Sequence, residues 1–303
     1  MSGGRWELAR GSEGYPPALE DLEGPPAAVF GIGDPLALLG PCISVVGTRR
    51  PTPYGTAVAQ MVGRVAARCG LVVVSGGARG CDYAAGRAAL DAGGRTVVVA
   101  GCGADRVYPS SSADLFRDAA GSGSCVVSIE RWGTAPLRYT FPKRNRVIAA
   151  LSRSLVVTEA GLPSGTFSTA GCAAELGREV YAVPGSIFSP NSAGANRLIE
   201  TGAAIVADEV ALEMRITMDY GLMLLRSEHA PRRDPPIMAA LVASPARPEE
   251  LAAEMGEEVL TVVRNLANYE STGLARRLPD GRYAPTERAL LMDDERGSKG
   301  DGG

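Results

Sequence analysis

Seven short apolar runs, rich in β-branched residues, constrain the fold of this chain more than any other feature. They are ISVVG at 43–47, LVVVSGG at 71–77, TVVVAG at 96–101, CVVSI at 125–129, SLVVTEA at 154–160, EVYAVPG at 179–185 and AAIVAD at 203–208. Continuous apolar runs are typical of strands covered on both faces, and helical patterns of ten or more residues lie between them. The alternation predicts an α/β fold with right-handed crossovers and a doubly wound, mostly parallel sheet.

Composition divides residues 1–236 into three segments. Residues 1–40 are rich in Pro and Gly and show little periodicity, which predicts a partly ordered N-terminal arm. Residues 41–222 contain all seven apolar runs and form the predicted sheet domain. Residues 223–236 combine charged residues with prolines and are interpreted as a linker.

A second, smaller unit is predicted at residues 237–287. Three short helical patterns are followed there by a hairpin that turns at Asp280 and Gly281. This order of elements is the plan of a winged helix. Residues 288–303 are polar and rich in Gly, and we expect a disordered tail.

The composition excludes several classes of protein. The chain has 303 residues, of which 45% are hydrophobic, so it can bury a large core. No apolar run approaches the roughly 20 residues that span a bilayer, and the N-terminus lacks the apolar core of a signal peptide. We therefore expect a cytoplasmic protein without a membrane partner.

Histidine and cysteine usage argues against several kinds of catalytic or metal site. The single histidine, His229, lies in a polar stretch outside the sheet domain, which removes any Ser-His-Asp triad or His-based zinc site there. The six cysteines contain no C-x-x-C pair. Buried free thiols are favoured over disulfides or metal ligands. We expect no metal, no cofactor and no catalytic residue.

The sequence FPKRNR at 141–146 is the strongest functional signal. Between Glu130 and Arg153 there are six basic side chains and one acid, although the net charge of the whole chain is -3. Proteins that bind single strands combine cations along the backbone with an aromatic face on which a base stacks. A solvated helix start is the alternative, but cations there oppose the helix dipole and cost stability, which favours a function.

Loops after the predicted strands supply further candidates, because ligands of open parallel sheets bind beyond the carboxyl ends of the strands. Arg49 follows the first strand and could clamp a phosphate, or be an ordinary surface arginine. The glycine-rich turn Ser75–Gly80 could bind an anion through its amides, whereas Asp82 could simply cap the next helix. The segment Ser164–Thr166 could accept a phosphate at a helix start, although ordinary N-capping gives the same pattern.

Several segments, taken in order, resemble the DprA/Smf family of DNA-processing proteins. They are VVGTRRPTPYG, SGGARGCDYAAGRAAL, VAGCGADRVYP, TFPKRNRVIAALS, EAGLPSGTFSTAGCAAELGREVYAVPG and GANRLIETGA, within residues 15 to 210. The resemblance implies an extended Rossmann-like fold that binds and protects single-stranded DNA. It also implies loading of the RecA recombinase during natural transformation, and a homodimer formed through the Rossmann domain.

Carried over residue by residue, the resemblance implies a DNA pocket made of arginines, hydroxyls and one stacking ring. Its members would be Arg49, Ser75, Gly76, Arg138, Phe141, Lys143, Arg144, Asn145, Arg146, Ser164, Gly165 and Thr166. The would-be recognition helix of the winged helix carries Glu257, Glu258 and Glu270 against Arg264. This charge disfavours a phosphate surface and favours a protein contact or a structural role.

The chain also departs from the family pattern. Cys81, Gly86 and Ile129 stand where the family usually has isoleucine, histidine and an acid. We also expect this chain to lack the sterile-alpha-motif-like domain that precedes the Rossmann domain in many members. The competing hypothesis is a nucleotide-binding or nucleoside-phosphate-hydrolysing relative, in which Glu159 or Glu175 beside the Ser164–Thr166 loop would be the acid. A pure scaffold is disfavoured, because a scaffold does not need cations at a helix start.

Overall fold

The structure is a computed structural model, and it describes residues 4–121, 123–222 and 235–291. It divides into two compact units, residues 1–225 and 226–303. The predicted linker lies almost wholly outside the described residues, and so do His229 and the last twelve positions of the predicted tail, 292–303.

The first unit is built on one nine-stranded sheet. Its strands are β1 (Arg5–Ala9), β2 (Ala28–Gly33), β3 (Cys42–Val46), β4 (Val72–Ser75), β5 (Arg95–Val99), β6 (Cys125–Ser128), β7 (Ser154–Val157), β8 (Glu179–Ala182) and β9 (Ala204–Ile205). All seven predicted strands are present, as β3 to β9. Their spatial order is β1-β2-β6-β5-β4-β3-β7-β8-β9, with every pair from β6 to β9 parallel.

Helices cover both faces of this sheet. They are α1 (Pro53–Arg68), α2 (Cys81–Asp91), α3 (Ala113–Ala119), α4 (Thr140–Leu151), α5 (Gly165–Glu175), α6 (Ala193–Glu200) and α7 (Glu209–Tyr220). Alternate strand residues belong to different cores: Val72 and Val74 pack with α4, α5 and α6, whereas Val73 packs with α1 and α2. The predicted doubly wound α/β fold is therefore confirmed.

The strand order reverses between β3 and β7. The chain proceeds from β3 outward through β4, β5 and β6, and α4 then carries it back across the sheet to β7 on the other side of β3. The loops that follow β3 and β7 diverge at this point, which leaves a crevice for a ligand at the carboxyl edge of the sheet.

The expected arm at residues 1–40 is more regular than its sequence suggests. β1 pairs with β2, and β2 pairs with β6, both antiparallel, so this segment extends the sheet. The indole of Trp6 donates a 2.9 Å hydrogen bond to the oxygen of Gly33 and packs over Gly31. β1 is an edge strand exposed on alternate residues, so it lacks the continuous apolar run by which β3 to β9 were predicted, whereas β2 is buried and apolar but was not predicted.

The second unit contains three helices followed by a hairpin, in the predicted order. The helices are α8 (Pro236–Ala243), α9 (Pro248–Met255) and α10 (Val259–Ser271), and strands β10 (Ala275–Arg277) and β11 (Tyr283–Pro285) pair antiparallel. A short helix, α11 (Glu287–Leu291), follows, and a small core forms around Leu241, Leu251 and Leu266. Its assignment as a winged helix stays a prediction.

Candidate nucleic-acid interface

The loops at the carboxyl ends of β3 and β7 are joined by hydrogen bonds. The amide of Thr48 donates to the oxygen of Glu159 over 2.8 Å, and the hydroxyl of Thr166 donates to the oxygen of Gly47 over 3.2 Å. The Arg49 loop and the Ser164–Thr166 loop, which are more than one hundred residues apart in sequence, therefore lie side by side at the crevice. Their predicted convergence on one sheet edge is confirmed by these contacts.

Phe141 lies at the centre of a cluster of cations and rings at this edge. The guanidinium carbon of Arg49 is 5.8 Å from the centre of the Phe141 ring, and the ring of Tyr108 is 5.7 Å from it, centre to centre. The Phe141 ring also packs on Gly101, where an added Cβ would come within 2.7 Å of the ring. Arg49 is exposed and Phe141 is half-buried, so the cluster offers a charge and an aromatic group to solvent together.

The N-terminus of α4 places more cations beside this cluster. Thr140 begins the helix, and its hydroxyl donates to the backbone oxygen of Gly101, which fixes the helix start above the end of β5. The Lys143 amine lies 5.2 Å from the centre of the Tyr139 ring, and both side chains are exposed. Arg138 is also exposed, one residue before Tyr139. Lys143 and Arg138 therefore have the accessibility that phosphate contacts require.

Arg144 does not have this accessibility. Its side chain is 4% exposed, and its Nη1 donates to the backbone oxygens of Gly76 and Val99 over 2.5 and 2.8 Å. Its guanidinium carbon lies 5.7 Å from the centre of the Phe141 ring. Both hydrogen bonds point into the protein, so Arg144 joins α4 to the ends of β4 and β5. Its guanidinium also supports the Phe141 ring.

The predicted turn at Ser75 and Gly76 is also buried. The Ser75 hydroxyl donates to the oxygen of Asp82 over 3.2 Å, and the amide of Gly76 donates to Asp82 Oδ2 over 3.0 Å. Burial raises the pKa of the Asp82 carboxyl and lowers the pKa of the Arg144 guanidinium, while the attraction between the two charges opposes both shifts. Ser75, Gly76, Asp82 and Arg144 thus form a closed internal network under the crevice.

Only part of the Ser164–Thr166 loop faces solvent. Ser164 caps α5, and its Oγ accepts a 3.1 Å hydrogen bond from the amide of Thr166. Thr166 is buried, and its hydroxyl already donates to the oxygen of Gly47. Gly165 is exposed, and an added Cβ would meet no atom within 4 Å. The Ser164 hydroxyl and the open backbone at Gly165 are the parts of this loop that a phosphate can reach.

Arg146 and Asn145 lie farther from the cluster than the sequence motif implies. Arg146 is exposed, and its Nη2 donates to the backbone oxygen of Glu23 over 3.2 Å. It also interacts with the thiol of Cys172 on α5. Asn145 is half-buried. Consecutive residues on a helix point in different directions, so the six-residue motif divides between the crevice, the core and the contact with α5.

The acids of the competing hydrolase hypothesis are not arranged as a catalytic pair. Glu159 is buried, and its two oxygens accept hydrogen bonds from the amide and the hydroxyl of Thr52, over 2.8 and 2.7 Å. Glu175 ends α5, about 15 Å along the helix axis from Gly165. It therefore does not flank the loop in space. Among the described residues there is no group of three or more His, Cys, Asp or Glu side chains that could hold a metal ion.

Two aromatic residues at this edge were not predicted from the sequence. Tyr108 and Tyr139 are 46% and 58% exposed, and each contacts a predicted site residue. The sequence did contain a signal for Tyr108, because this residue follows the glycine-containing turn after β5, at the sheet edge where ligands bind. Tyr139 immediately precedes the basic helix start.

The three departures from the family pattern are buried or half-buried, although the amide of Cys81 donates to the oxygen of Thr48 beneath the Arg49 loop. Cys81 is buried at the start of α2, against Gly47 and Thr158. A Cβ added at Gly86 would come within 3.3 Å of Leu115. Ile129 is half-buried against the core on the α4 side of the sheet. Each is therefore a packing residue in this chain.

No helix in the described ranges is long and apolar enough to cross a membrane.

Comparison with known proteins identifies the family. The profile of the family described as DNA recombination-mediator protein A matches residues 7–215, beginning slightly before the expected start near residue 15. Protein Smf of Escherichia coli K12 is 36% identical over 290 residues, which are 92% of this chain and 76% of that protein. DNA processing protein DprA of Bacillus subtilis is 39% identical over 196 residues, which are 64% of this chain and 66% of that protein.

Solved structures agree with this assignment. The X-ray structure of DprA from Streptococcus pneumoniae matches with a TM-score of 0.65 and 36% identity, covering 68% of this chain and 72% of that one. DNA processing protein A from Helicobacter pylori, whose structure is described for its single-stranded DNA binding mode, matches with a TM-score of 0.65 and 29% identity. That match covers 72% of this chain and 98% of the other. The chain belongs to the DprA/Smf family of DNA recombination-mediator proteins.

Proposed function

We propose that the protein binds single-stranded DNA without sequence preference, at the carboxyl edge of the sheet where the Arg49 loop meets Phe141. The observation that carries the proposal is the Phe141 ring, whose centre lies 5.8 Å from the Arg49 guanidinium carbon and 5.7 Å from the Tyr108 ring centre, at the carboxyl edge of the sheet. An aromatic face beside an accessible guanidinium can stack a base and hold its phosphate at the same time. The relationship to the Helicobacter pylori protein supports the same ligand.

The geometry favours a single strand over a duplex. A base can stack on a protein ring only when it is unpaired or unstacked from its neighbours, and duplex DNA does not offer such a base without an energetic cost. The accessible cations Arg49, Arg138 and Lys143 come from loops and a helix start. Phosphate contacts of this kind carry no sequence information.

In the cell, we propose that the bound strand is protected in the cytoplasm and passed to the RecA recombinase during natural transformation. The protein would act as a mediator, without catalysing a reaction, and as a homodimer through the Rossmann domain. The description of the family as a recombination mediator supports this role. Exposed Val210 and Met218 on α7 give the first unit apolar side chains that could contact a second copy. Size-exclusion chromatography with light scattering tests the dimer.

Fluorescence anisotropy of a labelled oligonucleotide tests the binding proposal directly. The same sequence is titrated as a single strand and as a duplex, at several salt concentrations, with wild type and Arg49→Ala. We expect preferential binding of the single strand, and a lower affinity of the variant with a salt slope reduced by about 0.7. Arg153→Ala is a matched control, because Arg153 is exposed but precedes β7 and lies at the opposite edge of the sheet.

Two results would contradict the proposal. Equal loss of affinity in Arg49→Ala and Arg153→Ala would mean that binding follows net charge and not this crevice. No binding of either DNA form would favour the nucleotide-ligand hypothesis.

A further inference from the structure

The loop after β8 carries the most exposed large apolar side chains of the first unit's described residues. Phe188 is 91% exposed and Ile187 is 83% exposed. Residues 183–192, which we call the β8 loop, leave the carboxyl end of a parallel strand, at the same sheet edge as Arg49 and Phe141. An exposed pair of this size is uncommon on a surface that has no partner.

The β8 loop is held in place by hydrogen bonds, so its exposed tip has a defined position. The amide and oxygen of Gly185 bond to the Asn196 side chain over 3.1 and 2.9 Å. The Tyr54 hydroxyl donates to the oxygen of Pro184 over 2.8 Å. At the tip, the amide of Phe188 donates to the Ser186 hydroxyl over 3.3 Å. Phe188 therefore projects from a loop fixed at its base.

The same loop is attached to the crevice. The amides of Gly194 and Ala195, just after the loop, donate to the oxygen of Ala160 over 2.8 and 3.2 Å. Ala160 belongs to the loop after β7, which continues to Ser164. Because adjacent strands lie about 4.8 Å apart, β8 is roughly 10 Å from β3. Exposed Leu162 lies on the intervening β7 loop, between the Arg49 loop and the β8 loop.

The charge of this path suits a polyanion. Segments 47–58, 160–172 and 184–198 contain no Asp or Glu, although the whole chain has 34 acids and 31 Lys and Arg. Their cations are Arg49, Arg50 and Arg197, of which Arg197 is paired with Glu200 over 2.7 Å. Glu159, at the border of the second segment, is buried and bonded to Thr52. A backbone phosphate can therefore follow the edge from the crevice to the β8 loop without meeting an exposed carboxylate of these segments.

We propose that Phe188, with Ile187, is a second stacking platform for single-stranded DNA, on which a base of the same strand that contacts Phe141 is placed. This inference rests on the proposed single-strand binding. Aromatic faces spaced along one cationic groove are the general design of sequence-independent single-strand binding. The ligand that we expect on this platform is the continuation of the bound DNA strand, because the β8 loop adjoins the crevice and contains no Asp or Glu.

The test compares two ligands of equal charge, (dT)20 and an abasic 20-mer with the same phosphates and no bases. We expect Phe188→Ala to weaken (dT)20 binding roughly 5- to 100-fold, the range of one base–aromatic stack, and to leave the abasic strand unaffected. Arg49→Ala should weaken both ligands. Leu36→Ala is the matched control, since Leu36 is 65% exposed but lies near Ser124, at the opposite edge.

A second measurement reports stacking without depending on affinity. In Phe188→Trp, addition of (dT)20 should quench tryptophan emission more strongly than in the wild type, which has two tryptophans. Unchanged (dT)20 binding by Phe188→Ala, together with no added quenching, would overturn the platform while the proposed function stands. Failure of the wild type to bind (dT)20 would overturn both. A change of mass in light scattering on Phe188→Ala would assign the loop to a contact between copies and overturn the inference.

Discussion

Arg144 and Gly76 are joined by a 2.5 Å hydrogen bond from the guanidinium to the backbone oxygen, and Gly76 has no room for a side chain because an added Cβ would lie 2.0 Å from the same nitrogen. The most buried cation of the basic motif therefore supports the floor of the crevice. The neighbouring Lys143 points to solvent. One short motif thus contains a buried cation with internal partners and an exposed cation that we propose contacts DNA, and substitutions can separate the two.

Arg144→Ala should lower the free energy of unfolding by about 3–5 kcal/mol, because it removes two internal hydrogen bonds and leaves the buried Asp82 carboxylate without its nearest cation. Lys143→Ala should change it by less than about 0.5 kcal/mol, since Lys143 is exposed. Urea denaturation measures both. The Lys143 variant should instead lose affinity for single-stranded DNA. Equal stability of the two variants would contradict the division of roles.

The sequence predicted β3 to β9 well because each lies in a short apolar run, and β3, β4, β6 and β7 are buried along their whole length. It also located the crevice, since loops at the carboxyl ends of parallel strands must meet. The strands β1 and β2 were both missed: β1 alternates between exposed and half-buried residues, whereas β2 is a buried apolar run inside a segment whose prolines and glycines favoured an irregular arm.

Side-chain direction was the part of the site that sequence reasoning could not supply. Arg144 and Thr166 have the chemistry of phosphate ligands, and both bond to backbone oxygens inside the protein. Arg144 donates to the oxygen of Gly76 and Thr166 donates to the oxygen of Gly47, so both roles depend on residues that are distant in sequence. A motif specifies residue types and helix position, but the partners come from the packing of α4 and α5 on the sheet.

Gly101→Ala should weaken binding without changing any charge. The new methyl group would come within 2.7 Å of Phe141 and displace its ring. We expect a loss of (dT)20 affinity approaching that of Phe141→Ala, roughly 5- to 100-fold, with an unchanged salt slope. Gly171→Ala is the matched control, because an added Cβ there meets no atom within 4 Å and a helix interior favours alanine. Equal affinities of the two variants would place stacking elsewhere.

Thiol reactivity should single out Cys172. Burial raises the pKa of Cys42 and Cys81 to about 12 and that of Cys69 to about 11, so at pH 8 about one in 10⁴ of the Cys42 and Cys81 thiols is ionised. Cys102 and Cys125 are buried as well, whereas Cys172 is half-buried. Ellman's reagent at pH 8 should therefore label one thiol in the folded protein and six in denaturant.

The rate of that single reaction should rise with pH, because the pKa of Cys172 is also raised by burial and its thiolate forms only as alkali is added. Cys172→Ser should abolish labelling of the folded protein. A fast reaction that persists in this variant would show that another thiol is accessible.

Glu159→Gln should act on stability and not on chemistry. The carboxylate accepts two hydrogen bonds from Thr52, and the Thr52 hydroxyl in turn accepts from the amide of Gly55 and caps α1. Loss of the charged acceptor should reduce the free energy of unfolding by about 1.5–3 kcal/mol. Because both residues belong to one network, the double variant with Thr52→Ala should lose less than the sum of the single losses. Release of base from nucleoside monophosphates by the wild type, abolished in a Glu159→Gln variant of unchanged stability, would instead identify Glu159 as a catalytic acid.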